Sequence, residues 1–117
     1  MTLFGWIAPP ALALSFGAAA AVAQEAPQAA SATYLCAGGA VLQVAYINPP
    51  GDAGWAVVAY GGLLVPLQAG PTGSGVRYFA MDGDGLVWHA KGDEGFLARD
   101  SGDGQDMLLD GCGRAGS

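Results

Sequence analysis

The chain has 117 residues, four basic and ten acidic side chains, a formal net charge of −6 and 52% hydrophobic residues. That length holds one domain, the hydrophobic fraction excludes a disordered chain, and the acidic balance excludes nucleic acid as main partner, since phosphate binding needs a basic face. Glycine is abundant at 20 residues but has no three-residue period, so collagen is excluded as well. The charge favours a cationic partner or plain solubility.

Residues 1–23 carry no charged side chain and end in Ala21-Val22-Ala23 before Gln24. Small residues at both positions of an A-x-A site read as a cleavable signal peptide, with the cut after Ala23. The apolar run is shorter than the roughly 20 residues a membrane span needs, and Pro9-Pro10 interrupts it. No later segment is long and apolar enough to span. The expectation is a secreted protein in an oxidising compartment, with no stable membrane anchor once the leader is gone. Residues 24–32 (QEAPQAASA) read as a flexible linker and 33–117 as the domain.

Short apolar stretches follow, rich in valine, tyrosine and tryptophan and divided by glycine, proline and aspartate. They read as strands near 33–37, 41–47, 54–60, 62–68, 76–81, 85–90, 94–99 and 105–110. No stripe of helical period runs for three turns. Eight short strands on so small a domain predict an all-β fold, a small closed barrel or a sandwich, and closure would remove the exposed edges. Pro66 falls inside one run and predicts an edge position or a bulge there.

The only two cysteines, Cys36 and Cys112, lie near the two ends of the domain. In an oxidising compartment their most economical role is one structural disulfide closing almost the whole domain. The alternatives are a lipid-modified cysteine, disfavoured by Thr33-Tyr34-Leu35 before Cys36, or a reactive thiol, for which no second histidine exists.

Enzyme readings find little support. Ser74, the single histidine His89 and one of several aspartates can be written as a triad, but Thr72-Gly73-Ser74-Gly75 is not G-x-S-x-G and no strand-to-helix elbow follows. The aspartates lie mostly in turn-like contexts and read as a solvated rim rather than a catalytic carboxyl pair. Asp82-Gly83-Asp84-Gly85 resembles the start of a calcium loop, but the sixth and twelfth positions are Val87 and Asp93 instead of glycine and glutamate. A hairpin turn fits better. His89 has no partner at zinc-ligand spacing, so neither a metal nor a cofactor is expected. Trp88 reads as core by default, with an interface anchor as the alternative. Arg77 and Lys91 are scarce cations in a glycine-flanked stretch. They form either an anion-recognising patch or simple pairs with Asp93 and Glu94, and composition alone favours the pairs.

Several of these residues occur together in a recognisable order. An aromatic residue before a cysteine and then V-x-Y-x-N corresponds to Tyr34-Leu35-Cys36 and Val44-Ala45-Tyr46-Ile47-Asn48. S-G-x-x-Y corresponds to Ser74-Gly75-Val76-Arg77-Tyr78, and a tryptophan followed by K-G-D-E to Trp88 and Lys91-Gly92-Asp93-Glu94, with Leu97 and Cys112 beyond. In this the chain resembles the periplasmic and membrane-bound inhibitors of c-type lysozyme, over about residues 33–112. The resemblance implies an eight-stranded antiparallel barrel with one disulfide, no catalytic activity, and a basic c-type lysozyme as partner. It implies a lysozyme-binding set of Ser74, Gly75, Arg77, Tyr78 and Lys91. Ser74 and Lys91 would meet the catalytic carboxylates, and Arg77 and Tyr78 would shape the loop. The lack of a lipid-attachment signal points to the soluble periplasmic branch. A module on the same barrel that binds a peptidoglycan fragment or another envelope protein is the alternative.

One departure bears on geometry. His89 and Ala90 separate Trp88 from Lys91, where the family pattern has a single residue. Strand side chains alternate in direction, so Lys91 falls on the face opposite Trp88 unless a bulge absorbs the extra residue or the strand has ended.

Overall fold

The computed structural model describes residue 26 and residues 28–51 and 53–116. The leader and its cleavage point lie outside the described residues.

Eight strands follow one another in chain order: β1 (Gln28–Leu35), β2 (Val41–Asn48), β3 (Trp55–Tyr60), β4 (Leu63–Gly70), β5 (Val76–Ala80), β6 (Leu86–Lys91), β7 (Glu94–Ser101) and β8 (Gly104–Arg114). Each pairs antiparallel with its sequence neighbour, and β8 returns to β1 to close a barrel. All eight expected strands are present, and the closed barrel is the architecture found. A single 3₁₀ turn, Ala37–Gly39, joins β1 to β2, with Gly38 and Gly39 at positive φ.

Two boundaries differ most from the sequence reading. Residues 28–32, expected as linker, are strand, because β2 runs on to Asn48 and offers them a ladder from Gln28↔Asn48 to Ala32↔Val44. At the other end, β8 extends to Arg114 because Gly113 and Arg114 pair with Leu35 and Tyr34. Pro66 takes a locally edge-like position, without a bulge. It pairs with Val57 of β3, while the β4–β5 ladder starts only at Leu67, so the proline pairs on one side alone.

The core follows from the period of two. Tyr34, Leu42, Val44, Ala56, Val58, Leu67, Leu86, Trp88 and Leu97 point inward and are essentially inaccessible. Burying each large aliphatic side chain is worth about 1.5–3 kcal/mol. Trp88 is core, 0% exposed. Its indole N–H donates to the Tyr46 hydroxyl at 2.8 Å, which lies 2.7 Å from the Tyr34 hydroxyl, so the polar tips of three large rings satisfy one another. The tryptophan needs Gly95. A β-carbon there would lie 2.5 Å from the far edge of the indole and 2.7 Å from the His89 carbonyl.

The β1–β8 seam is the weakest part of the wall, with two register pairs against eight between β1 and β2. A backbone bond from Ala115 N–H to the Thr33 carbonyl helps to close it, while Arg114 N–H donates to the Asp93 carbonyl on the other side of β8. The Cys36–Cys112 disulfide crosses the same seam.

Candidate functional site

The β4–β5 connection is Pro71-Thr72-Gly73-Ser74-Gly75, exposed throughout. Its return into β5 is dictated by Gly75, which sits at φ +69°. A β-carbon at Gly75 would lie 2.5 Å from the Ala90 carbonyl and 3.1 Å from both His89 Nε2 and Lys91 Cβ. Only glycine both adopts this conformation readily and allows the loop to lie this close to the end of β6. Ser74 and Lys91, far apart in sequence, are thereby brought to the same end of the barrel.

Lys91 is the last residue of β6, exposed, beside the Gly92-Asp93 turn, with Glu94 opposite it in the register. The β5–β6 and β6–β7 ladders run without a bulge; the irregular register is instead between β7 and β8, near Gly95 to Ala98. The extra residue after Trp88 is therefore not absorbed. Trp88 points into the barrel, and Lys91 has the outward parity of Val87 and His89 at the end of the strand. The expected pairing of Arg77 and Lys91 with Asp93 and Glu94 is absent. The ion pair found among the described residues is Arg99 with Asp84, at 3.1 Å. The reason is local: Arg77 reaches across the β5–β6 ladder to His89 instead.

Arg77 and His89 face each other in register, and Arg77 Nη2 lies 3.4 Å from His89 Nδ1. Arg77 Nε is buried with no hydrogen-bond partner. His89 Nε2 lies 2.9 Å from the Ser74 carbonyl, which also accepts from Thr72 Oγ1 at 3.3 Å. This geometry removes the triad reading. The imidazole contacts the serine's backbone oxygen, not its hydroxyl, and the ring's other nitrogen faces a cation, not a carboxylate. The sequence showed His89 only as a possible catalytic or metal-binding residue. The missed signal is a hydrogen-bond donor two residues before the end of β6, the strand paired with the one that the serine loop rejoins.

Tyr78 lies on the inner side, 7% exposed, with its ring centroid 5.8 Å from that of Tyr46. Burial pushes its hydroxyl pKa above the usual tyrosine value, with the neighbouring Tyr34 adding to the shift. Tyr46 is pushed up further, first by burial and then by its bond to Tyr34. These rings line a cup of about 370 Å³ at this end of the barrel, rimmed by Asn48, Gly75, Gly92 and Arg114. A second hollow of about 320 Å³ lies on the outer side of β6–β8, where Lys91, His89 and Phe96 meet Glu94 and Asp110. Among the described residues there is no cluster of three or more histidine, cysteine or acidic side chains able to hold a metal ion.

The loop end thus presents an unbonded serine hydroxyl and a lysine ammonium on a rigid barrel, the equipment for meeting carboxylates. Comparison with known proteins bears on that arrangement. The barrel is similar to the crystal structure of the periplasmic lysozyme inhibitor of C-type lysozyme from Salmonella typhimurium, with a TM-score of 0.67 and 21% sequence identity over 75% of this chain and 99% of that one. At that identity the likeness speaks for the fold. No curated protein sequence matches the chain. The family model described as "membrane-bound lysozyme-inhibitor of c-type lysozyme" matches residues 34–106, from the aromatic-cysteine start of the domain into β8. With well over half of its length matched, the chain belongs to the family of membrane-bound lysozyme inhibitors of c-type lysozyme.

Proposed function

We propose that this protein is a periplasmic inhibitor of c-type lysozyme that inserts the Ser74-Gly75 loop into the enzyme's active-site cleft and sets Lys91 against a catalytic carboxylate. The observation that carries the reading is the approach of the Gly75 backbone to the base of Lys91, with a β-carbon position 3.1 Å from Lys91 Cβ. A retaining glycosidase holds its two carboxyl groups only ~5–5.5 Å apart. A hydroxyl and an ammonium at one loop end can engage both, the hydroxyl donating to one and the ammonium pairing with the other. Lys91 is exposed and at a strand end, so its long stem reaches past the rim despite its outward parity. The net charge of −6 steers the barrel toward a basic enzyme and speeds encounter. Arg77 and Tyr78 support the loop from below.

The test is titration of the protein, disulfide intact, into c-type and g-type lysozymes while cell-wall lysis is followed. Loss of c-type activity alone, near one equivalent, is expected. The double variant Ser74→Ala with Lys91→Ala is expected to weaken inhibition about a hundredfold, as for two central contacts. Undiminished inhibition by that variant would overturn the loop mechanism. A protein that leaves lysozyme untouched but cosediments with purified peptidoglycan would be an envelope-binding module instead.

A further inference from the structure

His89 is the one histidine of the chain, and nothing in the proposed contact with lysozyme uses it. Its two ring nitrogens are nonetheless both engaged. Nε2 faces the Ser74 carbonyl at 2.9 Å. A carbonyl oxygen only accepts, so Nε2 carries the proton. Nδ1 faces Arg77 Nη2 at 3.4 Å. A guanidinium only donates, so Nδ1 carries the lone pair. Both contacts require the same neutral tautomer. On the opposite side the Phe96 ring meets the imidazole edge to face, 5.2 Å between centroids, and Phe96 is also its register partner on β7. The ring is therefore oriented from β5, β7 and the loop at once.

What the ring holds is the carbonyl of the residue whose hydroxyl is exposed. Thr72 Oγ1 donates to the same oxygen at 3.3 Å, and Gly75 follows at positive φ against the Ala90 carbonyl. The loop has no buried side chain of its own among residues 71–75. Without these polar contacts it has little to order it.

We propose that His89 is the positioning residue of the inhibitory loop: it pins the Ser74 carbonyl, and Arg77 selects the tautomer that can do so. This rests on the reading of the Ser74-Gly75 loop as the lysozyme-inserting element. Its effect is preorganisation. A loop already held in its bound shape loses less freedom on binding, and affinity rises without any contact between His89 and the enzyme.

The test has one arm without lysozyme and one with it. In the free protein, long-range proton–nitrogen NMR of the single imidazole is expected to show the Nε2–H tautomer, and Arg77→Met is expected to turn it into a mixture. Hydrogen exchange at the Ser74 and Gly75 amides is expected to accelerate about tenfold in His89→Ala, with the thermal midpoint of the barrel little changed. In the inhibition assay His89→Ala is expected to bind about fivefold to tenfold more weakly, the worth of one ordinary hydrogen bond. His89→Gln places an amide nitrogen where Nε2 stood and is expected to recover affinity to within about twofold of the parent. An Nδ1–H tautomer in the parent would overturn the proposal, and so would unchanged loop exchange in His89→Ala. Glutamine no better than alanine would do the same. If the parent protein fails to inhibit lysozyme at all, the proposed function falls, and the exchange and tautomer measurements alone decide whether His89 holds the loop.

Discussion

The two halves of the barrel wall are built alike and dressed differently. Strands β1–β4 contain no charged residue. All four basic and eight of the ten acidic side chains lie after Val76, in β5–β8 and their turns. Yet the inward rows are equally apolar on both sides: Leu42, Val44, Val58 and Leu67 from one half meet Leu86, Trp88 and Leu97 from the other. Closing the barrel constrains only the inner face. The outer face is free, and the charged half uses that freedom for the Arg77–His89–Phe96 row that braces the serine loop and for Lys91 beside it. In the other half the outer rows are uncharged, as in Ser31, Ala45, Val57 and Pro66, and include exposed apolar side chains such as Leu35, Val41 and Leu64.

The halves are joined by three devices, and each suggests a way to separate them. The largest effect is expected at the disulfide, which ties the start of the neutral half to the end of the charged one. Its partners are 76 residues apart, and in the loop-entropy model such a link stabilises by about 4.5 kcal/mol. Replacing Cys36 and Cys112 with serine is expected to bring the denaturant midpoint close to zero. A barrel that kept its midpoint would show that the β1–β8 ladder suffices alone.

Next is the indole of Trp88, which enters the core from the charged half and is capped by Tyr46 of the neutral half. Gly95→Ala pushes a methyl group into that ring and into the His89 carbonyl, and is expected to cost about 1–3 kcal/mol in urea unfolding. The same substitution at Gly73, where a β-carbon meets nothing within 4 Å, is expected to leave stability nearly unchanged.

The third tie is the Trp88–Tyr46–Tyr34 set of hydrogen bonds. Burial raises the Tyr46 and Tyr78 hydroxyls in the folded state above their unfolded value, near 10 for a free tyrosine. A raised folded pKa adds stability that is fully present below the unfolded value and is lost as pH climbs through the folded one. Unfolding midpoints are therefore expected to be flat through neutral pH and to fall above about pH 10. Absorbance titration should find these two phenols ionising late and together with unfolding. Phenols that titrate freely near pH 10 in a folded barrel would break the tie.

The smallest effect is expected from the surface charges themselves. Arg99 and Asp84 pair at 3.1 Å but are 39% and 38% exposed. Asp84→Asn is expected to cost less than about 1 kcal/mol, and less still in high salt. A larger loss would mean that the charged half depends on its surface for folding.

Much of this was legible along the chain because it depends on neighbours in sequence. Turn residues with local backbone reasons, such as Gly38-Gly39, Gly61-Gly62 and Gly92, mark where strands end. Alternation marks which residues point inward, and two cysteines near the domain ends leave one pairing. Strand count and the core place of Trp88 followed from such signals, while the choice of a closed barrel over a sandwich came with the family resemblance carried by the ordered motifs. Gln28 to Ala32 had no such signal. A run of alanine, serine and glutamine is a strand only because β2 supplies its partners.

The site divides in the same way. Ser74, Gly75 and Lys91 stood out as residue types, as a glycine-flanked hydroxyl and a rare cation. What only the tertiary structure decided is their relation. The β5–β6 register sets Gly75 against the end of β6, turns Arg77 from the acids toward His89, and gives the Ser74 carbonyl an imidazole fifteen residues away. Periodicity along one strand tells which way a side chain points. Only hydrogen bonding between strands tells what it finds there.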